Sequence, residues 1–277
     1  MVGVPGIAPG TPALSEPYST AELYAQELVP AFGSLLADRH RVFQVFDFSP
    51  GPDIAGIREE VIPHDEIYGE NGVYYSDRQL GELNGNVRGR MLDNSLVAKS
   101  KRAIVNKTTS QIWLNDEAIA WHDRQQISGD SILLHIKEIP SRLKRKSIDE
   151  IQIHGNAFFA AQDTLSLSPV VYDQFSAKKM IILLNDNSKI TGITLTTQAE
   201  SLYHLYNSEQ KPTGINYSSG DMMRMFFTAG ILKRVKVTGN VEGKQYPESF
   251  RGDKKINLSA FAWRENENPF KQPKSLP

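Results

Sequence analysis

The chain repeats one short pattern: a small or polar lead-in, an apolar run, a turn, a second alternating run and a polar break. The first half appears as "VAKSKRAIV" (97–105), "SGDSILLHI" (128–136), "SAKKMIILL" (176–184) and "SGDMMRMFF" (219–227), with "YGENGVYYS" (68–76) as a weaker first copy. The second half follows as "GELNGNVR", "QIWLNDEA", "EIQIHGNA", "GITLTTQA" and "VKVTGNVE". Short runs with period-two alternation, punctuated by Gly, Asn, Asp and Ser, specify strands and turns. The lead-in positions Gly69, Ala98, Gly129, Ala177 and Gly220 are unequally spaced, as in tandem repeats whose loops vary in length. Gly-Asn at 85–86, 155–156 and 239–240 marks the corner where the chain bends into the next layer: glycine permits the bend and asparagine tolerates positive φ. Residues 67–262 are therefore expected to be mostly antiparallel β structure with no helix longer than two turns.

The remainder of the chain reads differently. Residues 1–18 are Pro/Gly-rich and form a flexible head. A helix is expected over 19–38, where Leu23, Leu28, Phe32, Leu35 and Leu36 recur at roughly helical spacing around a kink at Pro30. This divides the chain into a head with an amphipathic helix (1–66), a β-repeat domain (67–264) and a flexible tail (265–277). The helix is expected to cover the sheet edge near "GVYYS", and the Pro-containing tail to block the edge at the other end.

Strand parity assigns the inward face. Ile112 and Leu114 point inward and leave Trp113 outside; Ile132, Leu134 and Ile136 oppose His135; Ile151 and Ile153 oppose Glu150 and Gln152. Met180, Ile182 and Leu184 are the chosen phase of a run that is apolar on both faces. Met223, Met225 and Phe227 oppose Arg224, and Val235 and Val237 oppose Arg234 and Lys236. The interior so defined is aliphatic and methionine-rich, either a packed core or an open trough for an apolar ligand.

Composition narrows the function. A formal net charge of −1 argues against a nucleic-acid binder, and the absence of cysteine removes disulfides, thiol nucleophiles and Cys-ligated zinc. No apolar run reaches the length needed to span a bilayer, and the opening residues lack the basic and apolar regions of a secretory signal. There is no nucleophile elbow, zincin helix, P-loop or dinucleotide fingerprint, and the histidines are scattered. "WHDR" (121–124) and "PHDE" (63–66) read as solvated loops, "NDNS" (185–188) as a hairpin turn and "RGD" (251–253) as an exposed turn. No catalytic residue, cofactor or metal is assigned. The dense basic cluster Arg142, Lys144, Arg145 and Lys146 is a loop that offers a contact to anionic groups such as lipid phosphates.

The stretch from "GVYYSDRQLGELNGNVRGR" through "SGDSILLHI", together with "GDMMRMFFTAGILKRVKVTGNVEG" and "INLSAFAWRENENP", resembles the OstA-like (organic solvent tolerance) periplasmic domains of lipopolysaccharide transport. The resemblance covers roughly 67–264. It implies an antiparallel β half-pipe, the β-taco or open jelly roll, that carries lipopolysaccharide toward the outer membrane. Acyl chains would lie along the inward residues named above, and like β-repeat domains would join through open edge strands. It also implies a periplasmic location. Residues 1–66 match nothing in that pattern. A polysaccharide-active β-repeat enzyme and a purely structural repeat module are the alternatives; the enzyme would need groove-facing carboxylates, whereas the inferred inward faces are aliphatic.

Overall fold

The computed structural model describes residues 66–91, 96–139, 146–166, 168–228 and 231–271, and the strand residues 43–44. The expected helix at 19–38 lies outside them, as do Arg142, Lys144 and Arg145 of the basic cluster. The strands are β1 (Phe43–Gln44), β2 (Glu66–Gly69), β3 (Asn71–Tyr75), β4 (Leu80–Arg90), β5 (Val97–Asn106), β6 (Gln111–His122) and β7 (Gln125–Glu138). They continue with β8 (Lys146–Gln162), β9 (Tyr172–Leu184), β10 (Ile190–Tyr206), β11 (Pro212–Thr228), β12 (Ile231–Thr238) and β13 (Glu242–Tyr246). All belong to one antiparallel meander in the order β1-β2-β4-β5-β6-β7-β8-β9-β10-β11-β12, with β3 added to β4 and β13 to β11. The sheet does not close: its first and last strands do not pair with each other. The only helical elements among the described residues are three single 3-10 turns, so the all-β expectation for 67–262 holds.

Each long strand crosses a corner without ending. Two successive residues stand at positive φ at Gly85–Asn86, Asp116–Glu117, Gly155–Asn156, Thr197–Gln198 and Gly239–Asn240. At each of them the ladder register shifts or, between β12 and β13, breaks. Two residues on one strand thus face one on its neighbour, a bulge that bends the strand. The bend is sharp. Ile151 and Phe159, about 26 Å apart on a straight strand, line one and the same internal gap. The corners therefore fold the sheet into two facing arms: a first arm that includes 80–84, 102–106, 111–115, 131–138 and 146–154, and a second that includes 87–90, 97–100, 118–129 and 157–162.

The residue opposite each corner is selected by charge and size. Glycine corners face an acid: the Asn156 amide donates to Asp130 at 3.0 Å, and Asn240 donates to Asp221 at 3.0 Å. The acidic corner Asp116–Glu117 instead faces Lys101, whose Nζ lies 2.6 Å from the Glu117 carboxylate. Just before the acid, Gly129 must lack a side chain, since a Cβ there would stand 2.4 Å from Ile153 Cγ2. The small lead-in residues of the sequence are thus the inner lining of the crease. In β5 that role belongs to Ser100, next to Lys101, so Ala98 lies two residues out of phase with the other lead-in positions.

Beyond β13 the chain leaves the sheet and runs back over the outer side of the second arm. Arg251 donates to the Tyr206 hydroxyl at 2.8 Å and pairs with Asp163 at 3.3 Å. The buried amide of Gln174 donates to Asn257 at 2.7 Å and accepts from the Leu258 N–H at 2.9 Å. Gln126 does the same one strand pair further on, donating to the Ala262 carbonyl at 2.8 Å and accepting from the Arg264 N–H at 2.7 Å. Phe270 then reaches Tyr68 and packs on Val97, Ile119 and Trp121. This strap covers Phe158, Ala160, Leu202 and Ile215, outward-facing apolar residues that water would otherwise meet. It departs from the sequence expectation twice. Residues 265–271 pack on the sheet, and they lie at its β2 end, leaving the edge at β12 unblocked. The "RGD" stretch is a turn, but the Arg251 side chain is only 8% exposed.

Two outcomes follow. Gly155→Val places a branched side chain at φ +67° with its Cβ 2.0 Å from the Asp130 carboxylate, and is expected to cost about 2–4 kcal/mol in urea unfolding. Gly155→Ala in an Asp130→Ala background removes the two closest contacts, leaves the residue-130 Cβ at 2.9 Å, and should recover all but about 1–3 kcal/mol of strain. At the strap, hydrogen bonds from Arg264 and then Lys99 lower the Glu267 pKa to about 2. Its contribution is complete above its ordinary value of 4.5 and is lost as pH falls toward about 2. Trp263 fluorescence should report that loss in the wild type, whereas in Glu267→Gln the transition in this window should shrink to what the neighbouring Glu265 contributes.

Candidate functional site

The inner faces of both arms meet in one apolar cluster. Ile132, Ile153, Met180, Ile182, Met223 and Met225 are at most 2% exposed, so the interior is filled where these residues sit. Toward the rim, where the strand ends gather, packing thins into two adjoining gaps of about 30 Å³ and 50 Å³. Met91, Leu96 and Ile148 line both. Ile112, Leu114, Leu134 and Ile136 bound the larger gap, and Ile151, Ile182 and Leu184 the smaller. Both gaps run between the arms, and both open at the rim, at Met91, Leu96 and Ile148 and, for the smaller gap, beside the β9–β10 turn. That turn is the one expected from "NDNS": Asn185 Oδ1 accepts from the N–H groups of Asn187 and Lys189 at 3.0 and 3.1 Å.

Polar chemistry touches this interior only at its margin. Glu66 and Arg90 line the larger gap and pair at 2.8 Å. Burial, reinforced by the neighbouring Glu66, pushes the Tyr68 hydroxyl up to about 12. His122, Gln125 and Ser188 edge the smaller gap. Among the described residues no group of His, Asp or Glu could hold a metal ion, and no helix is long and apolar enough to cross a membrane. Two His–Asp pairs lie elsewhere: His135 Nδ1 is 2.7 Å from Asp149 on the partly exposed outer face, and a more buried pair lies under the strap. His204 Nδ1 is 3.0 Å from Asp173, whose pKa burial raises. Asp173 also accepts the His204 backbone N–H at 2.9 Å, so the carboxylate clamps the strand end as well as the ring.

Of the fifteen inward residues read from parity, those on β6 to β11 and Val237 lie in this cluster or pack against it. Val235 does not. It stands opposite Met225 and on the same face, but it is 42% exposed because β12 is the last strand of its arm. Parity that stops at each corner leaves the second arm unassigned. Ile67, Ala98, Ala120, Ile127 and Phe159 complete the cluster from that side. The signal is present in the sequence: on the bulged strands β6 and β8 alternation runs through the corner in phase and selects Ala118 and Ala120 after Leu114, and Ala157 and Phe159 after Ile153, whereas on β5 and β7 the phase shifts by one residue, between Ala98 and Ala103 and between Ile127 and Ile132. Of the basic cluster, Lys146 opens β8, two residues before Ile148.

No protein-family model matches the chain, and no curated protein matches it. Among solved structures it is similar to LptH of Pseudomonas aeruginosa, the LptA-homologous periplasmic component of the lipopolysaccharide transport device. The likeness covers 55% of this chain and 95% of that one, with a TM-score of 0.39 and 10% sequence identity. At that level of likeness, function has to follow from the geometry of this chain.

Burial separates the inward residues by consequence. Met223→Ala, at a fully buried position, should cost about 2–5 kcal/mol, whereas Val235→Ala should stay within about 0.5 kcal/mol. Urea denaturation of the two variants checks both.

Proposed function

We propose that the protein is a non-enzymatic carrier that holds the acyl chains of a lipid between its two arms. One observation carries this reading: an apolar interior of aliphatic, methionine and phenylalanine side chains, clamped by an unclosed sheet, that thins to apolar gaps at an accessible rim. A closed barrel or a tightly plugged core would leave no such seam.

The gaps are too small for an acyl chain as they stand, so loading requires the arms to part. Parting exposes apolar surface, and an incoming chain offsets that cost at about 25 cal/mol per Å² covered. Left-handed corners at equivalent heights on successive strands supply a common line about which the arms can open. Methionine at 91, 180, 223 and 225 gives the seam unbranched side chains that repack around chains of different shape. The basic residues 142–146 adjoin Ile148 in sequence, which favours a lipid with an anionic head group. Lipopolysaccharide in a periplasmic bridge to the outer membrane, joined to like β-repeat domains through open edges, fits these features and the sequence resemblance. The absence of inward carboxylate pairs among the described residues disfavours a polysaccharide-cleaving enzyme.

A photoreactive amino acid at Ile148 should crosslink lipopolysaccharide. Ile136→Asp puts an unpaired charge at the rim, where partial exposure keeps the fold intact, and should reduce that crosslinking at least tenfold. A folded Ile136→Asp protein that crosslinks at the wild-type level would remove the seam as the lipid site.

A further inference from the structure

The last strand of the first arm, β12, lacks three things at once. Among the described residues one side of its backbone ladder is unpaired, because the sheet order ends there. On its outer face Lys236 stands directly opposite Arg224 of β11, and Arg234 opposite Phe226. Like charges set directly across a strand pair repel, and none of these three cations has an ion-pair partner among the described residues. Arg234 rests instead over the Phe226 ring, 4.3 Å from its centroid. On the inner face Val235 is exposed, and at the start of the strand Ile231 is 59% exposed. The strap does not cover this edge, because it runs the other way.

A single occupant satisfies all three. An added strand supplies the missing backbone partners, carboxylates at alternate positions neutralise Arg234 and Lys236, and apolar residues between them cover Val235. We infer that β12 is a docking edge for an acidic strand of a different protein, with carboxylate and apolar residues in alternation. The inference deepens the edge-docking element of the function proposed above and specifies the partner's chemistry. Among the described residues a second copy of this chain offers no free edge of that kind. Its opposite free edge in the same arm, β3, reads "NGVYY" and carries no carboxylate. An anionic bilayer surface would meet the cations but leave the strand's N–H and C=O groups without partners.

The test uses the full chain and a capped nonapeptide of alternating glutamate and valine, with a lysine–valine peptide and an oligoglutamate as controls. The expected result is saturable binding of the glutamate–valine peptide that slows amide exchange along β12. Arg224→Glu combined with Lys236→Glu, both at exposed positions, should weaken that binding about tenfold and confer binding of the lysine–valine peptide. Lipid crosslinking at Ile148, measured on the same samples, should not change, which separates failure of this inference from failure of the carrier reading. Equal binding of both peptides by the wild type would reduce β12 to an unselective edge and overturn the inference. So would oligoglutamate binding without protection of β12, capture by phosphatidylglycerol vesicles without peptide binding, or no peptide binding at all.

Discussion

The structure depends on pairs of left-handed residues placed at matching heights along a meander. Because each long strand is hydrogen-bonded to its neighbours on both sides of the crease, a bend in one must be matched by a bend in the next. The strain of two positive-φ residues is therefore incurred at five places and resisted by the same ladder each time. Gly-Asn meets it most cheaply and needs an acid across the way. Thr197–Gln198 and Asp116–Glu117 meet it without glycine, held by the strands on either side.

That crease determines which surfaces need covering. Folding the sheet buries its inner face but leaves two outer faces of different character. The second arm carries Phe158, Ile119, Trp121 and Leu202 outward, and the strap covers them. Buried Gln126 holds the strap by its backbone alone, and Gln174 by the Leu258 N–H and the Asn257 side chain, so apart from Asn257 they fix its path with little demand on its sequence. Amides suit this role because each offers a donor and an acceptor without the desolvation cost of a charge. With the strap committed to the second arm, the edge of the first remains open.

Function follows from what the fold leaves incomplete. The interior is tight where Met180, Met223 and Ile153 sit and loose at the rim, so in the proposed carrier role apolar cargo would gain area there without displacing the crease. Charges are kept to the margins, as at Glu66–Arg90, where they leave the seam apolar. The unpaired β12 edge is a second incompleteness, independent of the first in both its chemistry and its readout.

The sequence by itself determined the all-β class, the tandem repeat, three of the corners and the inward face of the first arm. Those depend on local rules: alternation with period two, and the small cost of positive φ for Gly and Asn. It also carries the inward face of the second arm, though less openly, since the phase runs through the corner on the bulged strands but shifts by one residue on the strands that face them. Only the tertiary structure decided the rest. Val235 obeys the same parity as Met225, yet one is exposed and the other buried, because burial depends on whether another strand follows. Arg251 lies in a motif that looks like a surface turn, but Asp163 and Tyr206, distant in sequence, draw it inward. The path of the strap has no periodicity to betray it. It is set by two glutamines and an aromatic socket that come together only after the sheet has folded, and contacts of that range leave no local trace in a chain.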